Sequence, residues 1–381
     1  MRQSFQFKLF ECKRLKHLHG TIEVCAQIWN HAVALRRRYY RIFKKNLPKA
    51  KLQAHFAKLR NDRYSHWQAV GSQSVQAISD RLYLAWDAFF EKRIKRPPTF
   101  CRRRNYRSFT LKQAGYKLLG HGRIKILGRA YRFTQSRAIT GLIKTVNIRR
   151  DAIGAIYISF SCDQVPQSQP VPKTGLTAGV DFGLRDFLTL SNGEKIAAPQ
   201  PLKAGLRHLR KAHRILSRKQ KGSKSRHKAR LAVARIHKKV RNIRSDWQWK
   251  AARKLVTGFD ELTFETLNLR AMKQLWGRKV SDLGFSDFLL KAEWLARKLG
   301  RDFLKIGQWT PTTKRCSCCR HLQDLPLNVR VFACERCGHT ECRDLNAAKS
   351  ILEEGRLLRS EAARKTSQQA SGVITAESHC L

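Results

Sequence analysis

The chain has 381 residues with 78 Lys+Arg against 27 Asp+Glu, a formal net charge of +51. Its 42% hydrophobic residues supply apolar material for two or three packed domains and exclude a disordered basic tail. Self-repulsion at this charge excludes a generic metabolic enzyme and calls for a polyanion, with phosphate backbones the first candidate. An anionic membrane is the alternative, but no apolar run approaches the ~20 residues of a span. The N-terminus leads into alternation, not an apolar signal segment. A cytoplasmic protein working on nucleic acid is expected.

Residues 4–10 alternate apolar and polar side chains, the pattern of a half-buried strand. Residues 18–95 are helical in period. Ile22, Cys25, Ala26 and Trp29 share one face, and Val75, Ile78, Leu82, Trp86 and Phe89 another, with Arg36, Arg37 and Arg38 on the opposite side. After Pro97 and Pro98 the period returns to two, as far as a strand at 155–160. Helical material is thus inserted into a β-rich N-terminal half. Pro166, Pro170 and Pro172 mark a linker. Beyond it come a strand at 176–182, then strands at 187–190 and 194–197 joined by Asn192-Gly193, a strong hairpin signal.

Between Glu194 and Asp260 the only acid is Asp246. Leu202, Leu206, Leu209 and Leu216 recur at helical spacing, as do Val233, Ile236, Val240, Ile243 and Trp247, with Gly222-Ser223 between them. The spacing predicts a long antiparallel helical hairpin with one apolar seam and basic faces. A solvated face normally carries both signs of charge, so the dearth of acids points to phosphate contact. Lys211, Arg214, Arg218, Lys219, Lys238, Lys239, Arg241 and Arg244 lie beside the seam and are the candidate nucleic-acid ligands. A strand at 258–269, a helix at 285–299, a strand at 302–309 and a helix at 344–358 follow, before a polar tail.

Eleven cysteines are unevenly placed, six of them within residues 316–342. Cys316-x2-Cys319, fourteen residues, then Cys334-x2-Cys337 makes two knuckles that can close on one tetrahedral Zn²⁺. Four thiolates leave no open position, so the metal would be structural. Cys318 and Cys342 are surplus and could compete as ligands. Local pairs of this kind fit a reducing compartment.

Asp181 ends one apolar strand, Glu265 ends another, and Asp344 opens a helix. A carboxylate at the end of a hydrophobic strand is costly unless paired or metal-bound. Three converging carboxylates can hold two Mg²⁺ for phosphodiester hydrolysis. Taken singly, a turn cap or a helix N-cap would explain Asp181 or Asp344. Their order among strands and helices matches an RNase H-like nuclease.

The C-terminal half closely resembles the TnpB proteins of insertion sequences, relatives of type V CRISPR effectors. The matching segments are Gly179-Val180-Asp181-Phe182-Gly183, Phe264-Glu265-Thr266-Leu267-Asn268, Thr313 to Cys319, Leu325 to Cys334, and Arg343-Asp344-Leu345-Asn346-Ala347-Ala348. The opening strand and residues 100–110 match more weakly. The resemblance implies an RNA-guided DNA endonuclease with guide RNA and target DNA as partners, Mg²⁺ and Zn²⁺ as cofactors, and Arg330 as a cation near the scissile phosphate. It implies α/β architecture plus β-rich and helical parts. A β-barrel wedge domain (1–11 and 96–165) carries a helical recognition insertion (12–95). A linker (166–175) leads to a RuvC-like nuclease domain (176–310 and 341–360) with an inserted zinc ribbon (311–340) and a disordered tail (361–381). Glu341 and Cys342 stand where many relatives have His and Asp, and Arg320 where Gly is common. A guided binding protein without cleavage is the alternative; such relatives usually lack one of the acids, and all three are present here. A transposase acting directly on DNA ends ranks last.

Overall fold

The computed structural model describes residues 2–164, 171–326 and 329–377, with side chains to 362 and at 364. It divides into two compact units, Met1–Gln167 and Ser168–Leu381. The boundary falls in the expected linker, of which residues 166–170 lie outside the described residues, as does Cys380.

The first unit opens with β1 (Gln3–Lys8), then α1 (Leu15–Phe43), α2 (Lys49–Asp62) and α3 (Ser72–Phe90). Six strands follow: β2 (Ser108–Leu111), β3 (Tyr116–Gly120), β4 (Arg123–Ile126), β5 (Arg129–Arg132), β6 (Leu142–Arg150) and β7 (Ile156–Asp163). The alternation in β1 is realised: Phe5, Phe7 and Leu9 are buried while Gln6 and Lys8 face solvent. β1 pairs antiparallel with β7 in a sheet of order β1-β7-β6-β2. β3, β4 and β5 form a second antiparallel sheet, bridged to the first at Leu9↔Phe133. Among the described residues no ladder joins β2 to β3, so the strand pairing does not run in a closed ring. α1 and α3 bury Ile22, Cys25, Ala26, Val75, Ile78 and Leu82 in the core of this unit. Arg36 departs from the expected outward face. It is 5% exposed, with its guanidinium 4.6 Å from the Tyr83 ring centre and 4.8 Å from that of Trp86. A weakly hydrated guanidinium tolerates such burial because the ring faces replace part of its hydration.

The second unit contains β8 (Thr177–Phe182), β9 (Leu188–Leu190), β10 (Lys195–Ile196), α4 (Pro201–Ser217), α5 (Lys224–Gly258) and β11 (Glu261–Glu265). It continues with α6 (Leu269–Leu283), α7 (Phe285–Leu299), β12 (Asp302–Ile306), β13 (Val331–Ala333), β14 (Thr340–Cys342) and α8 (Arg343–Glu377). Five strands form one mixed sheet, β10-β9-β8-β11-β12, with β8, β11 and β12 parallel. Asn192-Gly193 makes the β9–β10 turn, with Gly193 at φ 89°. Alternation then assigns the faces of the central strands. Val180, Phe182, Leu262 and Phe264 enter a core with Phe285, Phe288 and Leu255 from α7 and α5. Gly179, Asp181, Thr263 and Glu265 face the other way, toward α8.

Two glycines allow α8 to lie close on that face. A Cβ on Gly179 would sit 2.1 Å from the Ala348 carbonyl oxygen and 2.5 Å from the Leu352 amide nitrogen. A Cβ on Gly355 would sit 2.3 Å from Thr263 Oγ1. Neither position admits a side chain without moving the helix.

The helical hairpin forms as expected from α4 and α5. Gly222 at φ 94° makes the turn, and Ser223 Oγ accepts the Arg226 amide as an N-cap. Arg226 also donates to the Leu216 and Lys219 carbonyls, satisfying the end of α4. Val233 and Val240 are buried in the seam, but Ile243 is 41% exposed and lies outside it. α6 is an element the periodicity does not reveal. Its apolar register is broken at Trp276, whose φ and ψ of −128° and 35° are non-helical, leaving Leu275 and Trp276 exposed. The backbone of α8 runs as helix to Glu377. Glu361, Ala362, Ala363, Arg364 and Lys365 are good helix formers that extend α8.

Candidate active site and metal centre

β8 and β11 are neighbouring parallel strands with Val180 opposite Phe264. The next position on each is an acid, Asp181 and Glu265. Adjacent strands lie about 4.8 Å apart, and both carboxylates share the face covered by α8. Asp344 opens that helix, near enough for its charge to act on Asp181. Gly179 lies under Ala348, and the step from Gly179 to Asp181 is ~6.6 Å along the strand. The step back from Ala348 to Asp344, one turn on the same helix face, is ~6 Å. The close glycine contact thus brings the first turn of α8 to the carboxyl ends of β8 and β11.

The electrostatics agree with this placement. Burial, then the charges of Glu265 and Asp344, push the Asp181 carboxyl well above the usual carboxylate range, against the pull of Arg343. Burial raises Glu265 to about 7, opposed by the Phe182 amide and a hydrogen bond with Asp181. Asp344 is more open and has Arg343 Nε 3.5 Å from Oδ1. Buried like charges without a full complement of cations suit a site that takes up a divalent metal. Arg330 is exposed, and its carbonyl accepts the Arg343 amide at 2.9 Å, one residue before Asp344.

The cysteine cluster has the register the spacing predicts. Sγ atoms of Cys316, Cys319, Cys334 and Cys337 lie within 4.8 Å of one another, the only such group of metal-binding side chains among the described residues. Cys316 and Cys337 are 3.7 Å apart and Cys319 and Cys334 3.6 Å. A tetrahedron with ~2.3 Å Zn–S bonds has edges of ~3.8 Å, so the donors fit zinc in both chemistry and size. Cys342 is not in the cluster; its sulfur lies 3.7 Å from Lys195 Nζ. Cys318 is exposed.

The two knuckles have the same backbone plan. The Cys316 amide donates to His321 O and the Arg320 amide to Cys316 O; the Cys334 amide donates to His339 O and the Gly338 amide to Cys334 O. The fifth position of each is left-handed, Arg320 at φ 63° and Gly338 at φ 68°. Gly bears that conformation freely and Arg does not. Arg320 meets the cost with two hydrogen bonds to Glu353 of α8, at 2.9 and 2.5 Å.

On the hairpin, Lys211, Arg214, Arg218, Lys219, Lys239 and Arg241 are exposed and Lys238 is half-buried. Arg244 is not part of this surface. It donates to the Ser281 carbonyl at 2.7 Å and packs at Gly284.

Comparison with known proteins follows these sites closely. A family model named OrfB_IS605, described as "Probable transposase", matches residues 159–275, which include Asp181 and Glu265. A Cas12f1-like TNB domain model matches residues 285–351, which include the four cysteines and Asp344. A "Putative RNA-guided DNA endonuclease" of Streptomyces pristinaespiralis is 31% identical over 293 residues, 75% of this chain and 72% of that one. TnpB-like protein L79 of Acanthamoeba polyphaga mimivirus is 30% identical over 58% of this chain and 45% of its own length. The chain belongs to the TnpB-like family of RNA-guided DNA endonucleases. Among solved structures, the Cas12f1 of a complex with sgRNA and target DNA aligns with TM-score 0.58 at 14% identity, covering 89% of this chain and 83% of that one. This likeness gives a fold in common. No helix among the described residues is long and apolar enough to cross a membrane.

Proposed function

We propose that the chain is an RNA-guided DNA endonuclease whose second unit is an RNase H-like, RuvC-like nuclease domain with an inserted zinc ribbon. The adjacency of Asp181 and Glu265 under the α8 turn bearing Asp344 carries this reading. In the first unit, the strands serve as the wedge domain and α1–α3 as its recognition insertion. Guide RNA reads the target by base pairing, and the protein reads duplex shape and a short flanking motif.

Asp181, Glu265 and Asp344 would hold Mg²⁺, which when bound supplies an activated water and stabilisation of the leaving oxygen. The chain's own residues do the rest. The buried carboxylate pair retains a proton near neutrality and gives it up when a cation takes its place. Arg343 stays beside Asp344 and offsets part of the negative charge as a phosphate approaches. Arg330, exposed at the same entrance, places a further cation where charge grows on the scissile phosphate. Lys211, Arg214, Arg218, Lys219, Lys238, Lys239 and Arg241 grip the backbone of guide RNA or heteroduplex without reading bases.

Two experiments test the reading. Sequencing RNA that co-purifies with the protein should return a discrete species; random fragments would refute guidance. Asp181→Ala, Glu265→Ala and Asp344→Ala should each abolish cleavage of target DNA in Mg²⁺ while leaving target affinity largely intact. Undiminished cutting by any one of them removes that residue from the site.

A further inference from the structure

We propose that Ser317, Glu341, Asn346 and Lys349 are positioning residues for cleavage, locking the first cysteine knuckle to the opening turns of α8 and thereby fixing Asp344. This rests on the reading of Asp344 as a metal-holding carboxylate.

The contacts are dense and specific. Asn346, fully buried, accepts the Ser317 amide at 2.8 Å and donates to the Arg315 carbonyl at 2.7 Å. Glu341 is the centre of a second set. Its side chain is 9% exposed and accepts from Ser317 Oγ and from Lys349 Nζ, each at 2.6 Å. His339 Nε2 lies 2.9 Å from the same carboxylate. Burial pushes the Glu341 carboxyl up, but the bonds from Lys349, Ser317 and His339 outweigh it and hold the group ionised.

Each contact spans two parts of the site. Ser317 lies between the first two metal-binding cysteines, Glu341 ends the ribbon three residues before Asp344, and Asn346 and Lys349 follow Asp344 on the helix. The knuckle therefore holds the chain on both sides of Asp344 in sequence, at Glu341 on β14 and at Asn346 on α8. Glycine contacts fix how closely α8 approaches the sheet, but they sit at Ala348 and beyond, one turn or more from Asp344. The first turn needs its own anchor, and the ribbon supplies it. Within the set, Glu341 meets Lys349 and Ser317, and Asn346 satisfies backbone groups of the knuckle. Removing one member leaves buried partners unsatisfied and frees the helix end.

This also gives a physical account of the residue at 341, where many relatives carry His. Here a carboxylate is required, because it faces a lysine, a hydroxyl and an imidazole at once.

The test uses the full chain loaded with guide RNA. Glu341→Gln and Lys349→Met are compared with the conservative Lys349→Arg and with Asp344→Ala. Cleavage rate is measured against Mg²⁺ concentration, together with zinc content, target affinity, and the part of the Mg²⁺-dependent Tm shift that Asp344→Ala removes. Glu341→Gln and Lys349→Met should raise the Mg²⁺ needed for half-maximal cleavage by about 10- to 100-fold, as outer-shell changes do. They should shrink the site-specific Tm shift, while zinc and target affinity stay at the parent level and Lys349→Arg restores both readouts. Lys349 is partly exposed, so its loss does not threaten the fold. Mg²⁺ curves superimposable on the parent's for Lys349→Met, with Asp344→Ala inactive, would overturn the positioning role and leave the carboxylate site standing. Normal cleavage by Asp344→Ala would instead overturn the reading on which it rests.

Discussion

Glu265 offers the sharpest electrostatic test. Its carboxyl is raised from 4.5 to about 7 by burial, and it shares a hydrogen bond with Asp181, itself held well above the usual range. A carboxyl whose folded value exceeds its unfolded one binds protons in the folded state that the unfolded chain has released. Stability is therefore full below the unfolded value and falls as pH rises toward about 7. A rise of this size corresponds to roughly 3 kcal/mol lost by pH 8, at ~1.4 kcal/mol per pH unit. For a unit of about 200 residues that is roughly 6–12 °C in Tm. Glu265→Gln keeps the shape and removes the charge. In magnesium-free buffer it should match the parent at pH 4 and exceed it in Tm by several degrees at pH 8. Adding Mg²⁺ at pH 8 should raise the parent's Tm more than the variant's, because a bound cation neutralises the carboxylate. In the parent, cleavage should rise with pH through about 7, as proton and metal compete for the same oxygens. A Glu265→Gln curve parallel to the parent's from pH 5 to 8 would refute the argument.

Three further outcomes follow from the geometry. The purified chain should contain about one zinc, and Cys316→Ser or Cys334→Ser should release it where Cys342→Ser does not; metal analysis decides, and zinc loss only with Cys342→Ser would place the ligands differently. Replacing Lys211, Arg214, Lys239 and Arg241 together by Gln should leave the fold intact and reduce the salt slope of target binding by about three to four units, equally for matched and mismatched targets. An unchanged slope would make the hairpin a solvated scaffold. Gly179→Ala should cost about 1–3 kcal/mol or more by overpacking against Ala348 and suppress cleavage, both read from thermal unfolding and a cleavage assay; a variant as stable and active as the parent would contradict the close approach of α8.

Much of this was legible in the chain because period and chemistry coincide. Phe5, Phe7 and Leu9 alternate and are buried, and the paired CxxC spacing already specified the four sulfurs that converge. The acids were legible by type and by their place at strand ends. Their convergence was legible only through the order of the elements, because it depends on β8 pairing in parallel with β11 across the intervening helical hairpin. Local pattern cannot specify a pairing at that separation. α6 escaped because a kink at Trp276 interrupts its period. Arg36 escaped because its burial depends on Tyr83 and Trp86 from another helix. Arg244 sits among basic neighbours in sequence yet bonds to the end of α6, which only the tertiary structure reveals. A run of like charges does not say which of its members are already engaged.

The segment Arg343–Lys349 shows why a short motif can carry so much of a family's signature. Seven residues at the start of one helix meet three separate demands. On the proposed reading, Asp344 must face the strand-end carboxylates. Ala347 and Ala348, 2% and 0% exposed, must be small enough for the backbone to reach Gly179. Asn346 and Lys349 must bind the knuckle and Glu341. The helical repeat sends these three sets in different directions, toward the strand ends, the sheet and the ribbon. None of these five residues can then be exchanged without disturbing a neighbouring layer. Residue 320 is constrained less tightly: the knuckle needs a left-handed residue there, and a Gly supplies it alone. Arg320 supplies it with help, since its ion pair with Glu353 adds a further tie to the same helix. On the proposed reading, two of the departures from the family pattern sit where the ribbon meets α8 and are matched by a partner on the helix, Lys349 for Glu341 and Glu353 for Arg320, whereas Cys342 lies beside Lys195 of β10.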